Sequence, residues 1–209
     1  MPTLLQLDSS ADLTNSRTRA LTAATAEAWR ERGSDYRVVV RDLHVDPLPH
    51  LRTTAQHWPP RLRGGATVPD DLEELQRSIL EELITADALV IGAPMYNYSM
   101  PSTLKVWVDL IHVPGVTAPF DEQTQPLAGR PVVIATARGG AYDPGTRTEG
   151  WDHVVPPLRL VLGEGLGMTV HVVATSRTLH ERLPDLGSEQ AEKEFQTALA
   201  QATRLGATC

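Results

Sequence analysis

Twelve consecutive residues, Pro94-Met95-Tyr96-Asn97-Tyr98-Ser99-Met100-Pro101-Ser102-Thr103-Leu104-Lys105, mix flat apolar side chains with directed hydrogen-bonding groups. They follow the apolar run Ala88–Ala93 and lead into a helix-like stretch, Leu104–Ile111. An aromatic, amide-rich loop therefore sits at the carboxyl end of a buried strand, the edge at which open α/β sheets bind ligands. Tyr and Met offer apolar surface; Asn and loop N–H groups offer hydrogen bonds. A planar heterocycle with polar edges, of the flavin kind, needs that combination.

Two more loops carry compatible chemistry. Asp8–Thr18, after the first apolar run, is rich in hydroxyls and enters a helix. Helix N-termini present free N–H groups and partial positive charge, which suits phosphate. Ser10, Ser16 and Thr18 add hydroxyls and Arg17 a charge, while Asp8 and Asp12 weigh against an anion. Ordinary helix capping by Asn15 or Ser16 is the competing explanation. The third loop, Thr136-Ala137-Arg138-Gly139-Gly140-Ala141-Tyr142, has paired glycines that allow backbone to approach a ligand closely. Alone it reads as a plain turn. Three such loops on one edge favour a flat cofactor bearing phosphate.

The elements that position these loops alternate. Strands are expected at Thr3–Asp8, Tyr36–Asp42, Ala88–Ala93, Arg130–Ala137 and Thr169–Ala174. Helices are expected at Ser16–Arg32, Asp70–Ala86, Leu104–Ile111, Val155–Leu166 and Ser188–Leu205. Within Asp70–Ala86, Leu72, Leu75, Ile79 and Leu83 form one stripe, and acidic residues occupy the first turn. Strand–helix alternation implies a parallel sheet with helices on both faces. Leu43–Pro69 is too long for an ordinary connection, and such loops are usually functional or docked.

The 209 residues suffice for one substantial domain, and no internal boundary is evident, so residues 1–209 read as a single unit. A net charge of −7 argues against nucleic acid or an anionic membrane as partner. No apolar run approaches a membrane span, and no secretory signal is expected. The single cysteine, Cys209, excludes internal disulfides and thiolate metal sites, and fits a cytoplasmic location. The seven histidines form no close metal-binding pair, so no metal is expected. Of these, His153, in the loop before Pro156-Pro157, is the one within reach of the pocket.

The segment Ala93-Pro94-Met95-Tyr96-Asn97-Tyr98, with Leu104-Lys105 and Asp109, resembles the flavin-ring loop of the flavodoxin-like NAD(P)H:acceptor oxidoreductases. Most closely it resembles the FMN-dependent NADH:quinone oxidoreductases, or azoreductases. Ser9-Ser10, Ser16-Arg17-Thr18, Arg41-Asp42-Leu43 and Arg138-Gly139-Gly140 resemble further stretches of that family. The resemblance implies a flavodoxin-like three-layer α/β fold around a five-stranded parallel sheet. It implies FMN as cofactor, with Ser10, Ser16, Arg17 and Thr18 on its phosphate. Pro94, Met95, Tyr96, Asn97 and Tyr98 would line one side of the ring, and Thr136, Ala137, Arg138, Gly139 and Gly140 the other. It further implies NADH or NADPH as co-substrate, ping-pong hydride transfer to a quinone, azo or related aromatic acceptor, and a homodimer with its pocket at the interface. Phe120, Tyr142 and Glu164 would border the substrate, with Val116–Phe120 and the long Leu43–Pro69 segment helping to cover the flavin of the partner subunit. No side-chain acid or base is required, although Tyr96, Tyr98 or Tyr142 is placed to donate a proton to the acceptor.

Two departures stand out. Ala137 occupies a position where the family often carries serine, and Glu164 falls where an aromatic often covers the pocket. Gly163-Glu164-Gly165-Leu166-Gly167 precedes a strand instead of following one, so it is a turn and not a dinucleotide fingerprint. Two other classes fit the same fold: a flavodoxin-type electron carrier, and a binding subunit that has lost FMN.

Overall fold

Strands that are apolar on both faces need helices on both sides, and the chain supplies them. The computed structural model describes all 209 residues, Met1–Cys209. β1 (Thr3–Asp8), β2 (Arg37–Asp42), β3 (Ala88–Pro94), β4 (Pro131–Ala137) and β5 (Thr169–Thr175) pair in parallel, in the order β2-β1-β3-β4-β5. The central strand β3 is buried along its whole length, whereas the edge strand β2 is mostly open.

Alternation along each strand divides the core. From β1, Leu4 faces one apolar cluster with Leu21, Trp29 and Ala202, between the sheet and helices α1 (Arg17–Arg30) and α5 (Ser188–Thr208). Leu5 and Leu7 face the other, larger cluster. That cluster is roofed by α2 (Asp70–Thr85), α3 (Ser102–Ile111) and α4, which runs Val155–Leu158 and continues as a π-helix over Arg159–Gly165. Ile79 and Leu83 of α2 are sealed, each worth about 1.5–3 kcal/mol of burial. Pro156 and Pro157 sit in the first turn of α4, where their missing N–H groups leave no helical bond unmade. Helices α1 and α5 approach so closely that a Cβ at Gly206 would run into the Thr25 carbonyl.

The expected elements are present, with differences at their ends. Ser16 caps α1 instead of belonging to it: its Oγ accepts from Arg19 N at 3.3 Å. In α2 the buried face includes Gln76, which donates to the carbonyls of Gln56 and Leu110, both at 2.9 Å. The long segment after β2 is therefore docked. It holds two 3-10 turns, Thr54–His57 and Pro60–Leu62, and Arg63 clips it to Glu73 at 2.6 Å.

One buried charge works against this packing. Asp8, 5 % exposed at the end of β1, accepts from Gln6 Nε2 at 2.8 Å and Thr22 Oγ1 at 2.7 Å. Burial nevertheless pushes its carboxyl above the ordinary 3.8. A raised folded-state value makes the ionised form a liability above that value and removes it as pH falls. In Asp8→Asn, the amide can accept from Gln6 and donate to Thr22, whose hydroxyl already reaches Arg19 O. Asp8→Asn should raise Tm at pH 7 by about 2–4 °C, the shift that roughly 1 kcal/mol gives a chain of this size. The gain should shrink as pH falls towards 3.8. A gain that is constant with pH, or a loss at pH 7, in thermal melts would refute the buried-charge explanation.

Candidate functional site

Parallel strands end on one edge of the sheet, and here the turns after β1, β3, β4 and β5 surround a cleft of about 770 Å³. Ser10, Asp12, Asn15, Ser16 and Arg17 come from the first turn, and Pro94, Met95 and Tyr96 from the second. Ala137 and Gly139 come from the third.

The first turn presents donors. Asp12 Oδ1 takes the N–H groups of Thr14 at 3.0 Å and Asn15 at 2.8 Å, which hold its carboxyl below the usual range, Asn15 chiefly. This Asx turn delivers the chain to α1. There the N–H groups of Ser16, Arg17 and Thr18 take part in no hydrogen bond of the chain. Free N–H groups at a helix start, with the Ser10 and Ser16 hydroxyls beside them, suit a phosphate. Thr18 is buried behind this surface, its Oγ1 3.0 Å from Ser16 Oγ.

Arg17 lines the cleft and is tied to its surroundings. Its guanidinium donates to Ala191 O at 2.9 Å and Thr175 Oγ1 at 3.3 Å, lies 3.3 Å from Nε2 of the cleft-lining His180, and sits 4.8 Å from the Phe195 ring centroid. It thereby joins the start of α1 to α5 and to the turn after β5.

The second turn is a two-residue hairpin. Tyr96 and Ser99 exchange both backbone bonds, at 2.8 and 3.1 Å. Asn97 and Tyr98 between them have φ of 49° and 70°. This positive-φ pair is what such turns demand and what asparagine and glycine supply most readily. Strain is held from both sides. Tyr98 packs edge-on against Trp151, centroids 5.6 Å apart, and its carbonyl accepts from His153 N at 3.0 Å. Tyr96 reaches across the cleft mouth, where its hydroxyl accepts from Ala11 N at 2.9 Å and lies 3.3 Å from Ser10 Oγ. Asn97 and Tyr98 thus form the rim, and Pro94, Met95 and Tyr96 the wall.

The third turn is tied to the fourth. Thr178 N and Leu179 N donate to the carbonyls of Arg138 and Gly139, and a Cβ at Gly139 would meet Leu179 Cδ1 at 2.8 Å. Arg138 is not a cleft group: it pairs with Asp152 at 3.3 Å and lies 5.7 Å from the Tyr142 ring. Burial pushes the Tyr142 hydroxyl up, so it stays protonated at neutral pH. Thr136 is fully buried and its hydroxyl has no partner. The Gly140 carbonyl accepts from Arg177 N at 3.1 Å.

Two expected pocket residues lie outside the cleft of their own chain. Helix α4 and its π-helical continuation run from the loop edge, where His153 meets Ser99, back to the start of β5. Glu164 is near the end of that run, exposed at the opposite edge of the sheet from the cleft. Phe120 follows α3, which also returns to that edge. It is 61 % exposed and packs against Trp58, centroids 5.1 Å apart. Neither touches the cleft of its own chain. Conversely, Thr178–Arg182 after β5 form a wall that the sequence reading omitted. Their place on the carboxyl edge was the available signal.

Fold and cleft together define a doubly wound α/β protein with a ligand-sized cleft at the carboxyl edge of its sheet. The family model described as "Flavodoxin-like fold" matches residues 2–204, and the chain belongs to that family. Within it, this is a member of the FMN-dependent NADH:quinone oxidoreductases, also called azoreductases. A relative of that name from Kineococcus radiotolerans is 55% identical over 211 residues, covering 100% of both chains. Among solved structures, an azoreductase from Bacillus anthracis superposes with a TM-score of 0.82 at 19% identity over 100% of both chains. An FMN-dependent NADH-azoreductase from Bacillus anthracis in complex with FMN gives 0.78 at 20% identity, over 99% of this chain and 100% of the other. No helix is long and apolar enough to cross a membrane.

The hairpin is open to a direct test. Left-handed backbone costs an ordinary L-residue roughly 1–2 kcal/mol, and β-branched residues most. Asn97→Val should lower unfolding free energy in urea by about that amount. Asn97→Gly should stay within about 0.5 kcal/mol of the parent. Equal effects of the two would show that the turn does not need positive φ at this position.

Proposed function

We propose that residues 1–209 form one FMN-binding domain that passes two electrons from NADH to a quinone, azo or related aromatic acceptor. The observation that carries this reading is the pairing, in one cleft, of unpartnered N–H groups at the start of α1 with the apolar wall of Pro94 and Met95. Ser10, Ser16 and the N–H groups of Ser16, Arg17 and Thr18 hold the phosphate. Pro94, Met95 and Tyr96 support one side of the ring system, and Ala137 and Gly139 the other. The bound flavin supplies the hydride chemistry. Asp12 and Glu181 also border the cleft, and the bonds from Thr14 and Asn15 hold the Asp12 carboxylate in place by its Oδ1.

The chain's own task is to bind, orient and exclude water. Nicotinamide and acceptor take turns over the same face, so no residue has to act as acid or base between them. A homodimer is part of the reading. The aromatic pair Tyr98–Trp151 at the rim and the exposed Phe120 offer surface with which a second copy closes the cleft. A cytoplasmic location fits a chain whose single cysteine forms no disulfide.

The structure also bears on the choice of nicotinamide. Arg61 is chelated by Asp121 at 2.9 Å and bonds Gly115 O; Arg63 is held by Glu73 and by the carbonyls of Ala55 and Trp58. Arg52 is 4.0 Å from Asp71. Arg61 and Arg63 are engaged before any 2′-phosphate arrives, which favours NADH, whereas Arg52 is open to solvent.

Steady-state kinetics with NADH and benzoquinone tests the reading. Parallel double-reciprocal lines are expected, with kcat/KM for NADH above that for NADPH by about tenfold, roughly the worth of one charge-assisted hydrogen bond. Intersecting lines, or no NADH-dependent turnover in the presence of FMN, would defeat it.

A further inference from the structure

We propose that Arg19 and Asp42, which do not line the cleft, are positioning residues that orient the Ser10–Ala11 peptide and so give the cleft its preference for a phosphorylated flavin. The inference rests on the FMN reading above.

Arg19 lies in the first turn of α1, and its backbone N–H bonds the Ser16 hydroxyl at 3.3 Å. Its guanidinium grips Asp42 with two bonds, 2.6 and 3.1 Å, and donates from Nη2 to Ser10 O at 2.7 Å. One residue thus joins the turn after β1 and the end of β2 through its side chain and the cap of α1 through its backbone. Asp42 is itself anchored, because its Oδ1 accepts from His44 N at 3.0 Å and Val45 N at 3.1 Å. The two side chains are 18% and 24% exposed, and the bidentate geometry fixes orientation as well as charge.

The consequence follows from the planar trans peptide, in which C=O and N–H point in opposite directions. With Ser10 O held by Arg19, the N–H of the same peptide must face the other way. It does, donating to Tyr96 Oη at 2.9 Å on the cleft side. Without the grip on Ser10 O, this peptide is free to turn, and a turned peptide replaces the N–H that holds the Tyr96 hydroxyl with a carbonyl oxygen, which unsettles Tyr96 and Ser10, both of which line the cleft. The Ser10 hydroxyl, 3.3 Å from Asp12 N, would lose its setting as well.

Full-length protein stripped of flavin provides the test, with dissociation constants for FMN and riboflavin read by fluorescence quenching. Arg19→Met and Asp42→Asn should each weaken FMN by about tenfold, the loss of roughly one well-oriented hydrogen bond. Riboflavin, lacking the phosphate, should change by less than about twofold. Arg19→Lys, which keeps one donor, should recover part of the FMN affinity, and the phosphorus NMR shift of bound FMN should move in Asp42→Asn. Asp42→Asn is decisive because it removes a negative charge. If Arg19 acted through charge alone, this variant would bind FMN at least as tightly as the parent, and that result would overturn the proposal. So would a parallel loss of FMN and riboflavin. Urea melts check folding; should Arg19→Met fail to fold, Asp42→Asn carries the test. Failure of the unmodified protein to bind FMN would defeat the FMN reading instead.

Discussion

Every feature of the site depends on one constraint: parallel strands all end on the same edge of the sheet. Four of the five turns on that edge surround the cleft, and helix α1 begins there with backbone N–H groups its own turns cannot satisfy. A chain with this topology has a concave, donor-rich rim before any side chain is chosen. The residues then decide what the rim accepts. Hydroxyls and a helix start make one end suitable for phosphate, and Pro94 and Met95 make the middle suitable for a flat apolar ring.

Turns on an edge are soft unless something fixes them, and here each is braced by another. Tyr96 bridges the first and second turns, Trp151 and His153 hold the second, and the third and fourth share backbone bonds. This bracing permits the left-handed pair Asn97-Tyr98, which an isolated chain would adopt only at a cost. A pre-set rim loses less conformational entropy when a ligand arrives than a floppy one does.

The order of strands and helices was legible from hydrophobic period, and of the stripe Leu72, Leu75, Ile79 and Leu83 three are buried and Leu75 is half-buried. Three of the four turns were also legible, through their residue types. The partners of the Arg17 guanidinium were not, since Thr175, His180 and Ala191 lie 158, 163 and 174 residues away along the chain. The grip of Arg19 on Asp42, 23 residues away, was hidden for the same reason. The placements of Glu164 and Phe120 came from family resemblance. Topology opposes them within one chain, because α3 and α4 both carry the chain back to the edge where strands begin. The Thr178–Arg182 wall could have been anticipated from that same topology, since β5 ends where β1, β3 and β4 end.

The central claim is that the cleft holds FMN in a form that nicotinamide can reduce. The most direct measurement is an anaerobic titration of the FMN-reconstituted protein with NADH, followed by visible absorption. The account predicts flavin bands that bleach fully at about one NADH per bound FMN, as a two-electron exchange requires. Protein that retains no flavin after reconstitution, or retained flavin that NADH leaves oxidised, would contradict it.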